Sequence, residues 1–377
     1  MMSGNVLILR ATPIRPDPRV EKVGRALLQA GYSVQALGWE RAGNLPAQDT
    51  SAGFPIRRLS VPARPQRGLR NAPALGRWQA AALNWLGQHR REYDLIHACD
   101  FDTVAPALWA RRLWGKKVVY DIFDFYTDML RATPGPVKSA LRVLDLGAIS
   151  QADAVILADE ARRSQIAGSH PRRLAVIYNS PEDRLAALQA VPLAARNPAV
   201  RLRLAYAGLL QVERGLLPLL EVLSAHPEWT LDLAGEGAER GLILAQARAL
   251  KNVTYRGILP YPAALELNYA ADVLPAFYDP AIPNHRYASP NKLFEGMMLG
   301  RPLLAGRGAG FDRLVDELAC GLVVDYGSPE QIAGALRTLE DPALRQRLGQ
   351  NGRRAYDQTY SWSRMAERLV KLYDDLG

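Results

Sequence analysis

Residues 5–38 read NVLILRATPIRPDPRVEKVGRALLQAGYSVQALG and predict a strand, a helix and a second strand. The apolar run at 5–10 is the first strand, and a proline-rich loop separates it from a helical stretch. That stretch begins at Pro18 and ends at Gly31, which is the placement of Pro and Gly that helix ends favour. The second strand follows at 32–38, so the segment predicts one strand–helix–strand unit of a parallel sheet.

The same alternation continues in two series along the chain. Further short apolar runs, with helical stretches between most of them, lie at 55–61, 94–98, 117–122, 154–158 and 174–179, and then at 202–208, 229–235, 252–258, 272–278, 301–306 and 321–326. Prolines interrupt the pattern between the two series, so 179–201 is the predicted linker. Strands that alternate with helices in this way predict a parallel sheet covered on both faces.

We therefore predict an α/β fold of two Rossmann-like domains, 1–180 and 181–377, that face each other across a cleft. The last helix can pack back on the first domain. Because ligands of such sheets bind at the carboxyl ends of the strands, the cleft is the expected site.

Composition places the chain among globular proteins. Hydrophobic residues make up 48% of its 377 residues and charged residues 23%. The start of the chain lacks the basic and long apolar regions of a signal peptide, and no apolar run approaches the roughly 20 residues that span a bilayer. Cys99 and Cys320 have no partner spacing and are expected to be reduced thiols. These features predict a cytoplasmic protein.

The net charge of +9 is unevenly distributed. Residues 1–180 hold 25 Lys and Arg against 15 Asp and Glu, whereas residues 181–377 hold 22 against 23. An anionic membrane surface or a nucleic acid could explain a basic first half, and codon bias towards Arg is the alternative. Trp109 and Trp114, beside basic residues, suit a membrane interface as well as the packing of helices on the sheet.

The segment ASPNKLFEGMMLGRPLLAG, from Ala288 to Gly306, is the strongest candidate site. Ser289 is a suitable N-cap, and Pro290 would then occupy the first helical position. Lys292 in the first turn opposes the helix dipole, which makes sense if an anion such as a diphosphate docks there. Glu295 lies one turn deeper and could accept hydrogen bonds from a ribose diol. The alternative is an ordinary amphipathic helix with a surface Lys–Glu pair.

A second set of polar residues follows the strand at 94–98. His97, Asp100 and Asp102 could bind a metal, or one of the two aspartates could cap the next helix. Arg15, Asp17 and Arg19 occupy the loop after the first strand, and Asp17 could equally be simply an acidic residue before a helix.

The chain resembles glycosyltransferase family 4, retaining nucleotide-sugar-dependent enzymes of GT-B fold. Besides 288–306, the segments that carry the resemblance are DPRVEKVGRALLQAGYSV (17–34), YDLIHACDFDTVAPA (93–107), YAGLLQVERGL (206–216), DLAGEGAE (232–239), TYRGILPYPAAL (254–265) and YSWSRMAERLVKLYDDL (360–376). They occur in order and cover most of the chain. Each segment alone is weak, and the set is specific.

The resemblance implies a donor site in the second domain and an acceptor site in the first. The donor-binding residues that it implies are Gly208, Arg214, Gly257, Ile258, Ser289, Asn291, Lys292 and Glu295. Arg214 and Lys292 would stabilise the leaving diphosphate, so that no metal and no other cofactor is implied. His97 or Asp124 would take the proton of the acceptor hydroxyl, and Asp17, Arg19 and Asp100 would face the acceptor.

Two positions depart from the family pattern. Tyr287 replaces the first of two common Glu residues, and Leu209 replaces a usual Arg. The implied function is metal-independent retaining transfer of a sugar to a saccharide, glycolipid or other hydroxyl acceptor, in polysaccharide or glycoconjugate biosynthesis. Peripheral contact with the inner face of an anionic membrane is expected through the first domain, and no nucleic acid partner. The alternatives are a nucleotide-sugar 2-epimerase and a catalytically silent nucleotide-binding subunit.

Overall fold

The computed structural model describes residues 4–63, 71–130, 133–190, 192 and 197–377. Parts of the predicted linker, residues 191 and 193–196, lie outside the described residues. The chain divides into two compact units. The first unit comprises Met1–Tyr178 and Met365–Gly377, and the second unit comprises Asn179–Arg364.

The described part of the first unit contains one eight-stranded sheet with helices between its strands. The strands are β1 (Asn5–Arg10), β2 (Ser33–Glu40), β3 (Gln48–Asp49), β4 (Ile56–Ser60), β5 (Leu95–Cys99), β6 (Lys117–Ile122), β7 (Ala154–Leu157) and β8 (Leu174–Val176). The helices that follow the first strands are α1 (Pro18–Gln29), α2 (Ala72–Gln88), α3 (Phe101–Trp114), α4 (Tyr126–Met129) and α5 (Gly135–Gln151).

The order of strands across this sheet is β3-β4-β2-β1-β5-β6-β7-β8. Every neighbouring pair is parallel except β3 with β4. β1, β5 and β7 are buried along almost their whole length because helices cover both faces, which explains their continuous apolar sequences. The order reverses between β1 and β5, so the loops after these two strands diverge and leave a crevice at the carboxyl edge.

The second unit holds six parallel strands in two groups of three. The strands are β9 (Leu202–Ala207), β10 (Trp229–Ala234), β11 (Val253–Tyr255), β12 (Leu274–Ala276), β13 (Leu303–Gly306) and β14 (Gly321–Val324). Their orders are β11-β10-β9 and β12-β13-β14, and a single parallel bridge from Leu204 to Val273 joins the groups. Counted from β9, this is the order 3-2-1-4-5-6 of a nucleotide-binding sheet, with its switch point between β9 and β12.

Nine further α-helices lie in the described residues between the predicted linker and the end of the chain. They are α6 (Leu185–Gln189), α7 (Leu216–Ala225), α8 (Arg240–Ala247), α9 (Tyr261–Ala270), α10 (Asn291–Leu299), α11 (Asp312–Glu317), α12 (Pro329–Thr338), α13 (Pro342–Ala355), and α14 (Trp362–Asp374) closes the chain. Most of α14 belongs to the first unit. Among the described residues, no helix has the length and apolar content that crossing a bilayer requires.

Candidate functional site

The candidate site of the second unit lies at the switch point of its sheet. The loop after β9 carries Arg214, the loop after β12 carries Tyr278, and α10 begins nearby with Asn291 and Lys292. Arg214 is close enough to Lys292 that its charge lowers the pKa of the lysine. Two of these segments, distant in sequence, therefore place positive charge at one edge.

Lys292 is buried, with 8% of its surface exposed. Its Nζ donates a hydrogen bond to the carbonyl of Ala207 at 2.9 Å and lies 4.0 Å from the centre of the Tyr206 ring. Burial and the charge of Arg214 lower its pKa to about 8, against the opposing effect of Glu295. Lys292 is thus held at the edge of the sheet, and Glu295 offsets only part of the effect of burial and of Arg214 on its pKa.

Arg214 ends a short 3-10 turn after β9 and stacks on an aromatic ring. Its guanidinium carbon lies 3.9 Å from the centre of the Tyr278 ring. Its Nη1 is buried and makes no hydrogen bond within the described part of the chain. Gly215 follows with a φ of 61°, and a Cβ there would lie 2.6 Å from the Cβ of Phe277. The glycine therefore allows this loop, and Arg214 with it, to approach β12 closely.

The prediction that Ser289 caps α10 is wrong. The helix begins at Asn291, and Pro290, with extended backbone angles, occupies the cap position. Pro290 cannot adopt a helical position after Ser289 here because the chain is still extended at that point. The Ser289 hydroxyl is buried and unbonded among the described residues. Because buried polar atoms usually have partners, the unbonded Ser289 hydroxyl and Arg214 Nη1 are notable features of this edge.

Glu295 is also buried, at 8% exposure. Asn268 Nδ2 donates to its Oε2 at 3.3 Å, and the hydroxyl of Tyr261 is a second partner. The alternative of a surface Lys–Glu pair on an amphipathic helix is wrong because both side chains are inside the unit. The Glu295 carboxylate is therefore held in place within the second unit by these two side chains.

The remaining predicted donor residues occupy loops at the same edge. Gly208 donates its N–H to Ala234 at 3.0 Å, and a Cβ there would make only ordinary contacts with Tyr206. Gly257 has a φ of 76° with open space around its Cα, and the neighbouring Ile258 is 68% exposed. Asn291 is exposed and accepts a hydrogen bond from Asn179 at 2.8 Å.

Sequence reasoning missed the packing role of the glycines after β10. A Cβ on Gly235 would lie 1.9 Å from the carbonyl oxygen of Gly208, and one on Gly237 would lie 2.3 Å from that of Leu210. The loops after β9 and β10 are thus in backbone contact. The Gly-Glu-Gly spacing was visible in the sequence. The sequence does not show, however, which loop's backbone packs against these two glycines.

In the first unit, His97 is the third residue of β5 and lies inside the core. It is 1% exposed, its Nδ1 lies 2.7 Å from the hydroxyl of Tyr373, and its Nε2 lies 3.3 Å from Asp121. Asp121 in turn accepts two hydrogen bonds from Arg19, at 2.8 and 3.1 Å. The sequence predicted His97 to lie at the end of a strand. In the structure, both of its ring nitrogens instead have partners within this buried network.

Arg19 and Asp121 form a buried ion pair at the centre of that network. Their side chains are 4% and 0% exposed. The charge of Arg19 and the hydrogen bonds from Arg19 and His97 hold the pKa of Asp121 below its usual value despite burial. Arg19 therefore acts inside the unit, and Asp121 was not among the predicted site residues although it lies in the quoted strand 117–122.

Asp124 and Asp17 have different surroundings. Asp124 follows β6, pairs with Arg162 at 2.8 Å and has 42% of its side chain exposed. Asp17 lies directly before α1, as the alternative of an acidic residue before a helix has it, and caps the helix by accepting from the N–H of Val20. Of the two predicted proton acceptors, Asp124 alone reaches the surface.

Asp100 stands at the cap position of α3 without capping it through its side chain. Its carboxylate instead accepts from the N–H of Phe123 at 2.9 Å and pairs with Arg10, which also pairs with Asp17 at 2.9 Å. Burial raises the pKa of Asp100 in spite of Arg10. Among the described residues, no group of three or more His, Cys, Asp or Glu is arranged as a metal site.

Family comparison covers both halves of the chain. A model described as a glycosyl transferase 4-like domain matches residues 16–180, and one described as glycosyl transferase-like matches residues 217–371. The glycogen synthase of Mycobacterium tuberculosis is 25% identical over 297 residues, which are 74% of this chain and 68% of that protein.

Solved structures share the fold over the full length. The sucrose-phosphate synthase of Thermosynechococcus elongatus has a TM-score of 0.77 at 20% identity and covers 99% of both chains. Anabaena HepE, in complex with UDP and glucose, has a TM-score of 0.71 at 15% identity, covering 98% of this chain and 99% of its own.

Proposed function

Because this chain belongs to the glycosyltransferases and has the GT-B fold, we propose that it transfers a sugar from a nucleoside-diphosphate sugar to a hydroxyl acceptor. We assign donor binding to the second unit and acceptor binding to the first. The names of similar proteins include one maker of an unphosphorylated polymer, glycogen, and one of a sugar phosphate. These names therefore do not identify the acceptor of this chain, and the acceptor has to be inferred from the chain's own residues.

The observation that carries the proposal is the pair of cations at the switch point, the buried Lys292 and the half-buried Arg214. Neither side chain makes an ion pair within the described residues. Burying the lysine near a second positive charge costs free energy unless a counter-charge compensates it, and the pKa of Lys292 is lowered to about 8 accordingly. A diphosphate supplies that counter-charge and can accept hydrogen bonds from both side chains.

We propose a metal-independent reaction on the same basis. When the bond between the sugar and the diphosphate breaks, negative charge grows on the leaving oxygen, and Arg214 and Lys292 stabilise it. The acceptor oxygen attacks the sugar on the face that the diphosphate leaves, which retains the configuration. The hydroxyl proton passes to a carboxylate, for which the exposed Asp124 is the better placed of the two predicted groups.

Thermal unfolding with nucleotides tests the donor site. The protein is melted with UDP, GDP, dTDP and ADP, and with their sugars, without added metal. A nucleotide at 100 times its dissociation constant should add about 2.7 kcal/mol to the free energy of unfolding. Glu295→Ala should remove the shift because it deletes the anchored carboxylate, whereas Glu266→Ala, an exposed residue of α9, should keep it.

Release of free nucleoside diphosphate separates the three possible activities. A transferase releases it only with an acceptor present, an epimerase turns over its substrate without one, and a silent subunit does neither. Absence of any thermal shift with all four nucleotides contradicts the donor site itself. It would indicate that Leu209 and Tyr287 have removed needed contacts.

We further propose that the enzyme works in polysaccharide or glycoconjugate assembly on the cytoplasmic face of a membrane. Exposed apolar side chains on two contacting helices of the first unit support this location. Trp109 and Leu113 of α3 are 51% and 55% exposed, and Val143 and Leu144 of α5 are 70% and 62% exposed. An apolar surface in the Arg-rich half of the chain suits an interface with anionic lipids.

A further inference from the structure

A cavity of about 370 Å³ lies in the second unit, away from the candidate donor site. Asp272, shortly before β12, lines this cavity, and so do Arg301 and Pro302, directly before β13. Residues that precede parallel strands lie at the amino edge of a sheet, whereas the candidate donor residues follow the carboxyl ends of the strands. The cavity is therefore separate from the donor site.

Most of the charged side chains that line this cavity are arginines. Arg301, Arg345 and Arg353 contribute guanidinium groups, and Asp272 is the carboxylate among the lining residues. Asp272 accepts a hydrogen bond from the backbone N–H of Arg203 at 2.8 Å and lies 3.8 Å from the Nε of the same residue. Because Arg203 balances the charge of Asp272, the lining carries an excess of positive charge.

Arg353 is already compensated by carboxylates. It forms ion pairs with Asp183 at 2.6 Å and with Asp357 at 2.7 Å. Its Nη1 also donates to the carbonyl of Met298, near the end of α10, at 2.8 Å. An anion that enters the cavity is therefore attracted chiefly by the other arginines of the lining.

Arg301 has a donor that its own unit does not use. Its Nε and Nη2 both donate to the carbonyl of Tyr269, at 3.0 and 2.6 Å, and its guanidinium carbon lies 4.9 Å from the centre of the Tyr269 ring. Its Nη1 makes no hydrogen bond within the described part of the chain, and solvent reaches this atom. The guanidinium is thus held in place with one end accessible to a ligand.

Arg345 supplies a second positive charge at the same cavity. Its Nη1 donates to the carbonyls of Leu339 and Glu340, which follow α12, at 2.5 and 2.8 Å. Burial lowers the pKa of Arg301, and the charge of Arg345 contributes to this effect. Arginine keeps its charge at neutral pH, so an anion bound between these side chains relieves their repulsion.

The size and the remaining lining of the cavity suit a small phosphorylated molecule. Cavities of about 300 to 1,000 Å³ hold small organic ligands, and the guanidinium group binds phosphate oxygens well. Gln346 and Gln350 of α13 line the cavity with exposed amides, which can bond to hydroxyl groups. Among the described residues, none of the exposed large apolar side chains lines it, which argues against the acyl chain of a lipid.

We propose that this cavity binds the phosphoryl group of a small soluble phosphate ester, with Arg301 Nη1 donating to a phosphate oxygen and the charge of Arg345 beside it. A phosphate ester carries a charge of about −1.5 to −2 at neutral pH, which can compensate both guanidinium groups. The ester is a ligand in addition to the donor and the acceptor of the proposed transfer, and its binding does not depend on that reaction.

Isothermal titration calorimetry with inorganic phosphate, glucose 6-phosphate and glucose tests the proposal. We expect both phosphates to bind and glucose not to bind, with an affinity that falls as the ionic strength rises. Arg301→Gln should weaken phosphate binding about tenfold or more, because a hydrogen bond between charged groups is lost. Arg347→Gln, which changes an exposed arginine of α13 outside the cavity, should bind phosphate as the wild type does.

A second variant keeps the test valid if Arg301→Gln is misfolded. Gln350→Glu adds a negative charge at the cavity and removes no side-chain hydrogen bond formed within the described residues, so it should weaken phosphate binding about threefold or more. Gln246→Glu, on the exposed side of α8, is its control. An unchanged phosphate affinity in Gln350→Glu, or no binding of either phosphate by the wild type, overturns the proposal.

Two further measurements separate this cavity from the donor site and from a site for a lipid headgroup. Lys292→Met should keep its affinity for phosphate; loss of binding in this variant, with retention in Gln350→Glu, would assign the anion to the donor site and overturn the proposal. Binding to vesicles that contain phosphatidic acid should be equal in the wild type and in Gln350→Glu. Weaker vesicle binding by Gln350→Glu would indicate a lipid headgroup and overturn the assignment of a soluble ligand.

Discussion

Raising the pH through the range in which Lys292 loses its proton should weaken nucleotide binding. In the free protein the pKa of Lys292 is about 8, because the side chain is buried beside Arg214. A bound diphosphate stabilises the protonated amine and returns its pKa towards the ordinary value of 10.5. Binding is therefore coupled to uptake of a proton.

The size of the effect follows from these two values. When only the protonated form binds well, the apparent dissociation constant grows in proportion to one plus ten raised to the power of pH minus the free pKa. Between about pH 7 and about pH 9 this predicts roughly a tenfold loss of affinity, or about 1.4 kcal/mol. The hydroxyl of Tyr206, whose ring lies next to Lys292, stays protonated over this pH range because burial raises its pKa.

The folded protein without ligand should show the opposite trend in stability. The pKa of Lys292 is lower in the folded chain than in the unfolded chain, so the unfolded chain binds more protons between about pH 8 and 10.5. The contribution of this residue to the free energy of unfolding therefore rises with pH in that window. Ligand binding removes this dependence, because it returns the pKa of Lys292 towards its value in the unfolded chain.

Isothermal titration calorimetry measures both quantities. Titration of the preferred nucleotide at several pH values gives the affinity, and buffers of different ionisation enthalpy give the number of protons taken up, with a maximum midway between the free and the bound pKa of Lys292, at about pH 9. Lys292→Met should bind more weakly and show no such pH dependence, whereas Lys251→Met, an exposed lysine of the same unit, should behave as the wild type. An equal slope in Lys292→Met would refute the reasoning.

Two further predictions concern stability. Gly235→Ala should cost about 3 kcal/mol or more, because its Cβ would lie 1.9 Å from the carbonyl oxygen of Gly208; Gly241→Ala, with open space around it on α8, should be neutral or slightly stabilising in the same urea titration. Asp121→Asn should cost about 3–5 kcal/mol, because it leaves the charge of Arg19 buried without its carboxylate, and an unchanged urea midpoint would contradict the buried ion pair.

The sequence predicted the strands best where they are buried on both faces. The runs at 5–10 and 117–122 match β1 and β6 residue for residue, because a continuous apolar run has one consistent assignment. The runs at 252–258 and 272–278 shrink to three residues each in β11 and β12. Gly257, which has a left-handed backbone conformation, lies within the run 252–258. An apolar pattern does not predict such local backbone geometry.

The candidate site divides in the same way. Lys292 and Glu295 could be placed together because one turn of helix separates them, but the pattern could not tell that both are buried. His97 was predicted to be a proton acceptor at a strand end that faces the cleft, whereas it lies in the core. Its partners Asp121 and Tyr373 lie 24 and 276 residues away in sequence, and no local rule predicts contacts over such distances.

The last 13 residues have a consequence for how the first unit is made. Because Met365–Gly377 belongs to it, translation finishes this unit only after the whole of the second has been synthesised. A fragment cut at Tyr178 would lack the hydroxyl of Tyr373 that His97 contacts, so it should aggregate or remain partly unfolded. The N–H of Tyr178 contacts the sulfur of Met365 at 3.2 Å. A linker of a few glycines could therefore connect the two segments of the first unit, Met1–Tyr178 and Met365–Gly377, into one continuous chain.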